Sequence, residues 1–409
     1  MNVWIFAHYA SIPSLGQYTG HYDLAKELVA HGHRVTIFAS SFSHYTFKET
    51  VLAGDETQRE AAHDGVRFVW LRTPPYLAND WRRVVNMLAY AARATVTGLR
   101  RTDRPDVCLG VCVHPFAGLS AWLVARLRRA RFVYEIRDLW PLVLIEAGRL
   151  RSSGLAARLL FRLERFLVRR ATCVVGAWRY VDRYLAERGC PPRRIVWIPQ
   201  FADLDRVPSE AHVPAPHGDF VVMYTGGHVQ TMGLDVVLRA AKLLQDCNVQ
   251  DVRFVLVGSG QEKPALLALA RELGLANVEF RDPVPKDRLY AVMREADVFV
   301  VSLRSLPSHR YGISINKLCD YFAMRRPVVY AGASTYNPVV EAGAGLGVSP
   351  ESPEAIADAV LRLKALTPAE RASMGHRGWQ HLLDNHEKGM LVDRFEQALR
   401  TVCAESPVS

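Results

Sequence analysis

Short runs of β-branched and aromatic residues alternate with segments of helical period from end to end of this 409-residue chain. Strands that alternate with helices pair in parallel, and a parallel sheet needs helices on both faces. The pattern therefore predicts an α/β protein with doubly wound sheets. Strands are expected at 3–7, 34–40, 66–72, 107–111, 131–138, 172–176 and 195–199. A second series is expected at 220–225, 253–257, 278–280, 298–303 and 328–331. Helices separate them, the first over 20–30, and the chain from 355 onward reads as helical.

A chain this long exceeds one ordinary core and predicts two domains. Half of its residues are apolar, enough for two cores. Residues 201–219 are rich in Pro, Ala, Asp and His without clear period, which reads as a linker. The expected domains are 1–205 and 206–385, doubly wound and facing each other across a cleft. No apolar run is long enough to span a membrane, and the first residues form a strand without a basic leader. A cytoplasmic protein is expected. The seven scattered cysteines read as buried thiols.

The charge is one-sided. Residues 1–210 hold 30 Lys+Arg against 19 Asp+Glu, and the remainder holds 21 against 22. The net +10 thus belongs to the first half, and nearly all of it is Arg. Two stretches, 81–104 and 149–170, interleave Arg with apolar residues at helical spacing. Such helices either lie on an anionic membrane surface or pack their apolar side on the domain and solvate the rest. Nucleic acid is not expected as a partner, because no recognition motif accompanies the charge.

Candidate site residues gather after strands, where open α/β sheets bind ligands. Segment 307–329, PSHRYGISINKLCDYFAMRRPVV, places Arg310, Ser314, Asn316 and Lys317 in a loop entering a helix that carries Asp320. Helix N-termini attract anions, so a lysine there suits a diphosphate, and a carboxylate one turn on suits sugar hydroxyls. The segment reads as a nucleotide-sugar seat. Gly16 and Gly20 follow the first strand, and Gly226, Gly227, Gly258 and Gly260 follow strands of the second half, with Lys263 beside them. Glycine there lets backbone approach a phosphate or base. The dinucleotide pattern G-x-G-x-x-G is absent. Glu135, Arg137 and Asp138 end one strand, and His114 follows its neighbour. Either these are acid–base groups or they cap the strands.

The ordered blocks GHYDLAKELVAHGHRVTIFAS, FVYEIRDLWP, IVWIPQFADLDRV, VVMYTGGHVQTMGLDVVLRAAKLL, VRFVLVGSGQ and NKLCDYFAMRRPVV resemble the family 4 retaining glycosyltransferases of the GT-B fold. DLWP and NKL-x-D/E-Y resemble the WbuB-like branch of bacterial O-antigen and capsule assembly. The resemblance implies a C-terminal domain that binds a nucleotide-sugar, UDP-linked in that branch, and an N-terminal domain that receives a glycan or lipid-linked acceptor. It implies no metal and no cofactor, in line with the lack of a ligand-spaced Asp/His cluster in the sequence. It also implies a C-terminal helix, within 386–409, that crosses back to the first domain.

Several positions depart from the family pattern. Asp320 stands where the second Glu of E-x7-E holds the ribose, but Gly312 replaces the first Glu. His228 and Met232 replace the usual Arg and Lys of the glycine turn, and 198–203 read IPQFAD instead of IPNG-x-D. Phosphate charge then falls to Lys317, Arg310 and Lys263. The resemblance implies a front-face displacement with Asp138 as base, Glu135 or His114 as lesser candidates, and Phe280 and Arg281 at the nucleobase. A 2-epimerase or phosphorylase of the same fold, and a non-catalytic partner subunit, remain alternatives.

Overall fold

The computed structural model describes all residues except 16–18, 45, 78–79, 211–217 and 406–409. Gly16 therefore lies outside the described residues. The chain divides into two compact units, Met1–Pro199 with Gly389–Ser409, and Gln200–Lys388.

The first unit carries β1 (Asn2–Phe6), β2 (Arg34–Ser40), β3 (Phe42–Ser43), β4 (Lys48–Glu49), β5 (Gln58–His63), β6 (Val66–Leu71), β7 (Val107–Cys112), β8 (Arg131–Ile136), β9 (Cys173–Gly176) and β10 (Ile195–Trp197). Its helices are α1 (Gly20–Ala30), α2 (Trp81–Arg100), α3 (Pro115–Arg128), α4 (Leu142–Glu146), α5 (Leu155–Arg170) and α6 (Val181–Glu187). The main sheet runs β10-β9-β8-β7-β1-β2-β6-β5 and is parallel except at β5. Strands β1 and β7 sit in mid-sheet and are buried along their whole length, which their unbroken apolar runs require. Sequence reading misses β5, QREAAH, because it is a polar, mostly exposed edge strand that pairs antiparallel with β6. It also extends β8 too far: pairing stops at Ile136, which leaves Arg137 and Asp138 in the loop beyond.

The second unit carries β11 (Phe220–Thr225), β12 (Val252–Val257), β13 (Val278–Arg281), β14 (Val298–Ser302), β15 (Val328–Ala331) and β16 (Gly345–Val348). Its helices are α7 (Leu234–Asp246), α8 (Lys263–Glu272), α9 (Lys286–Met293), α10 (Asn316–Ala323), α11 (Pro338–Glu341), α12 (Pro353–Ala365) and α13 (Pro368–His386). The sheet, all parallel, runs β13-β12-β11-β14-β15-β16. Apolar clusters cover both faces, one around Phe299, Tyr321 and Phe322, the other around Val222, Leu238 and Ile356. Tyr321 stacks on Phe299 at 4.2 Å and accepts the Thr225 amide at 2.9 Å, which sets α10 over the ends of β11 and β14. β16, GLGV, is an edge strand too glycine-rich to be read from pattern.

The stretch read as a linker is ordered at its start. Ala202 is buried and pairs with Glu387, and Lys388 bonds Asp203 at 3.1 Å. Residues 211–217 of that stretch lie outside the described residues. The final helix, α14 (Lys388–Ala404), belongs to the first unit from Gly389 on. Its Glu396 accepts from His31 at 2.7 Å, His33 at 2.9 Å and Arg400 at 2.8 Å. Burial opposes ionisation of Glu396, but these donors outweigh it and hold the carboxyl at about 2. His31, Asp393 and Glu396 also bring their ligand atoms within 4.8 Å of one another, a grouping invisible to sequence spacing. Of the cysteines, Cys108, Cys112, Cys173, Cys190 and Cys319 are buried as expected, but Cys247 is exposed.

Glu164 on α5 is buried and accepts Tyr184 Oη at 2.9 and 3.1 Å. Burial pushes its carboxyl up to about 8 despite that bond. A raised carboxyl pKa means the folded state holds a proton that the unfolded state releases, so stability falls as pH rises from the ordinary carboxylate range toward 8. Glu164→Gln is expected to unfold at a higher denaturant midpoint than wild type at pH 8. The difference, on the order of 2 kcal/mol or more, should vanish near pH 4.5, as urea titrations at the two pH values would record.

Candidate functional site

In the second unit the turns after β11 and β12 lock to each other through backbone. Gly226 N donates to Val257 O at 3.0 Å, His228 N to Ser259 O at 2.9 Å and Glu262 N to His228 O at 3.0 Å. A Cβ at Gly258 would stand 2.0 Å from Gly226 O, and one at Gly260 would stand 2.2 Å from His228 O. Gly258 and Gly260 are thus required by protein backbone rather than by a ligand, which corrects the expectation for both. Gly226 and Gly227 remain exposed.

Lys317, one residue into α10, lies along that first turn. Gly226 has φ +136°, and a Cβ there would meet Lys317 Cε at 3.1 Å. The Lys317 ammonium donates to Tyr224 Oη at 3.1 Å and touches Met232 Sδ at 2.9 Å. It stands 4.7 Å from the Tyr224 ring centroid. No carboxylate pairs with it among the described residues, and burial lowers its pKa to about 8. Met232, at the position where the family carries a lysine, thus seats this one instead. α10 has no side-chain cap, so its first N–H groups are open, with exposed Asn316 at the first position. Ser314 Oγ, buried just before the helix, has no partner among the described residues. Lys317, Ser314 and the α10 terminus together can take a diphosphate.

The other expected donor groups have different employment. Lys263 is spent on Gly258 O (2.9 Å), Arg281 O (3.1 Å) and Asp282 (2.8 Å), so it braces the β12 and β13 ends. Arg281 is bidentate to Glu295 (2.9 and 2.8 Å) and also bonds Glu279. Lys263 is therefore not the loose cation that spacing suggested, and the Arg281 guanidinium, expected near the nucleobase, is engaged by two carboxylates. Phe280 is half-buried, its ring 6.2 Å from that of His228. His228 is fully buried, and neither ring nitrogen has a partner among the described residues. Burial, then the nearby Lys263 and Lys317, holds its pKa at about 4, so it is neutral. Asp320 accepts Tyr290 Oη at 2.8 Å. Arg310 is exposed in the 3-10 turn Pro307–Tyr311, its guanidinium 4.7 Å from the Tyr311 ring centroid. Gly312 ends that turn at φ 96°, ψ −167°, a conformation open essentially to glycine alone. A glutamate at that position would be strained, which explains the departure from E-x7-E.

In the first unit, polar groups collect beyond β1, β7 and β8. Glu135 is buried between His21 Nε2 at 2.9 Å and Arg137 at 3.2 Å. Burial alone would raise its pKa, but His21 and Arg137 hold it at about 2. It is a fixed charge, too weak a base for proton transfer near neutrality. Asp138 accepts no side-chain hydrogen bond among the described residues. Burial raises its pKa, opposed by Arg137 and Arg83. His114, at the start of α3, is buried with Nε2 2.6 Å from His8 Nδ1. Burial and then Arg83 lower its pKa to about 3. Sequence reading missed His8, Tyr9, His21, His44 and Arg83. His8 stacks on Tyr9 and on Tyr90, both at 4.3 Å, Tyr9 on His44 at 5.1 Å, and Arg83 Nε donates to Tyr9 Oη at 3.3 Å. The signal was present in His8–Tyr9 directly after the first apolar run, at the end of a mid-sheet strand.

The Lys317 ammonium attracts a diphosphate fully below its pKa and loses that pull as pH rises through about 8. Affinity of this seat for inorganic pyrophosphate is expected to weaken by about tenfold between pH 7 and pH 9, following the ionised fraction, with a flatter profile in Lys317→Arg. Calorimetric titration at the two pH values checks this.

Two family models match the chain in succession. "Glycosyl transferase 4-like domain" covers residues 16–200, and "Glycosyl transferases group 1" covers residues 219–365. The Escherichia coli K12 protein WcaI, which bears the name of a colanic acid biosynthesis glycosyl transferase, is 25% identical over 71% of this chain and 73% of its own. Sucrose-phosphate synthase of Thermosynechococcus elongatus superposes with a TM-score of 0.76 at 17% identity, over 99% of both chains. Anabaena HepE, solved with UDP and glucose, gives 0.68 at 14% identity, over 98% of this chain and 99% of that one. These likenesses give the fold as GT-B, with two parallel-sheet α/β domains. With both halves matched in order on that fold, the chain belongs to the group 1 glycosyltransferases of family 4.

Proposed function

We propose that this enzyme moves an N-acetylated sugar, with retention, from a UDP-linked donor to a glycan or polyprenyl-diphosphate-linked acceptor in bacterial surface polysaccharide synthesis. The observation that carries the reading is the Lys317 seat: an ammonium without a carboxylate partner, against an exposed glycine turn and an uncapped helix terminus. Such a seat suits a diphosphate, which supports the transferase reading. HepE, of the same fold, was solved with UDP and glucose, and WcaI bears a polysaccharide name. Both support the choice of donor and pathway class.

The second unit holds the donor, with the diphosphate on Lys317, the α10 terminus and Gly226–Gly227, the ribose near Asp320 and the base near Phe280. The bond from the anomeric carbon to the diphosphate oxygen breaks through an oxocarbenium-like state. Lys317 stabilises charge developing on the leaving group. The first unit supplies the base. The acceptor hydroxyl forms the new bond on the same face and gives its proton to Asp138, whose burial-raised pKa suits it better than Glu135 or His114.

Thermal-shift titration with UDP, GDP, ADP and dTDP is expected to give stabilisation by UDP alone, lost in Lys317→Ala and weakened in Asp320→Ala. Asp138→Asn should keep UDP binding and lower transfer by about a hundredfold or more. Stabilisation by none of the four nucleotides would overturn the reading. UDP-sugar isomerisation without acceptor would replace it with the epimerase.

A further inference from the structure

The longest helix of the first unit presents its apolar residues outward. α2 buries Asn86, Met87, Tyr90, Ala94 and Gly98 against the domain. At 3.6 residues per turn the opposite face carries Trp81, Val84, Val85, Leu88, Ala92 and Val96. All six are exposed, and the five large ones are 41–68% exposed. Leu77, just before the helix, is 75% exposed. A solvated helix would put its charges on this face, so the bland expectation for segment 81–104 is corrected here. Its arginines lie elsewhere: Arg82 and Arg100 flank the stripe, Arg93 reaches Thr57 O, and Arg83 turns to the inner side, to Tyr9.

We propose that this outward stripe of α2 docks the first unit on an anionic lipid bilayer. Charge selects the occupant. α2 contains four arginines and no acidic residue. α3 packs between α2 and α5, with Ser120 Oγ donating to Ala91 O and Trp122 set edge-on to Phe166 at 4.7 Å. α5 adds exposed Leu155 and Leu159 together with outward Arg158, Arg162, Arg165, Arg169 and Arg170, while its one acid, Glu164, is buried against Tyr184. A second copy seated stripe to stripe would set arginine against arginine, with the exposed N-cap Asp80, already accepting from Arg82 N, as the acid at the start of the stripe. Anionic headgroups answer the outward arginines, with apolar side chains entering the acyl boundary and Trp81 at headgroup level. The stripe from Trp81 to Val96, about 22 Å at 1.5 Å per residue, lies in the membrane plane. No helix among the described residues is long and apolar enough to cross a membrane.

The same helix would join the lipid surface to the polar cluster, since Arg83, opposite the stripe, touches Tyr9 and acts electrostatically on Asp138 and His114. That further link to a lipid-linked acceptor rests on the transferase reading; the docking does not.

Flotation of the full chain with vesicles of phosphatidylcholine, alone or mixed with phosphatidylglycerol, tests the docking. Wild type is expected to float with the anionic vesicles, less so at high salt. Leu88→Asp and Val85→Asp should each lower the bound fraction by about tenfold or more, since a carboxylate at the interface is strongly disfavoured. Leu361→Asp, at an exposed apolar position of the second unit, should float as wild type does. Equal partitioning onto neutral vesicles, or unchanged flotation of Leu88→Asp, would overturn the proposal. So would a dimer seen in sedimentation, lost in Leu88→Asp, without vesicle binding. UDP stabilisation measured in Leu88→Asp separates lost docking from misfolding and from failure of the donor reading.

Discussion

The seat of Lys317, the proposed donor site, depends on one backbone interlock, between the turns after β11 and β12. Hydrogen bonds from Gly226, His228 and Glu262 close that interlock, and bare Cα atoms at Gly258 and Gly260 make it sterically feasible. With the second turn buttressing the first, Gly226 holds a positive φ and leaves a flat shelf on which Lys317 can lie. The cost of a buried ammonium without a counter-ion is eased by the Tyr224 hydroxyl and ring and by the soft Met232 sulfur. An arriving diphosphate would complete what the protein leaves incomplete. The substitution of Met232 for the family's lysine reads as part of this arrangement, because a second ammonium at that position would repel Lys317.

The first unit obeys a related constraint. Its mid-sheet strands are covered on both faces, so ionisable groups are tolerated at strand ends or in buried pairs. Glu135 belongs to the second kind. It is the last-but-one residue of β8 and is held by His21 from α1 and Arg137 from the loop. Its low pKa follows from that pairing. Two carboxylates close in sequence thus have opposite shifts because one is paired with two donors and the other, partly exposed, loses more to desolvation than Arg137 and Arg83 return. His8 and His114, neutral and sharing one hydrogen bond, extend the same polar edge.

Sequence pattern carried most of the fold. Strand positions in both units follow from apolar runs, and α1 and β11 have the bounds expected of them. It failed at the edges, at β5 and β16, where a strand lacks one neighbour and needs no apolar run, so that pairing alone defines it. Within the site, Lys317, Asp320 and the glycine turns were legible because a loop-to-helix junction after a strand constrains composition locally. His8, His21 and Arg83 were not, because each acts through a partner about 75 to 115 positions away. Periodicity found α2 but could not say which of its faces was outward. Its buried side mixes Met87 and Tyr90 with Asn86, Ala94 and Gly98, while its outward side is as apolar, so only the packing of α3 and the sheet tells the two apart.

By itself the sequence determined the α/β class, the two-domain division of charge and the presence of a phosphate-suited loop. These follow from local composition and spacing, which act over a few residues. Tertiary structure decided which cations are available. Lys263 and Arg281 look as free as Lys317 in the sequence, yet they are consumed by Asp282, Glu279 and Glu295. It also decided that Gly312 could not be a glutamate, and that an arginine-rich helix shows its apolar side to the outside. An ion pair, a backbone angle and a buried face are each set by neighbours that only the folded chain brings together.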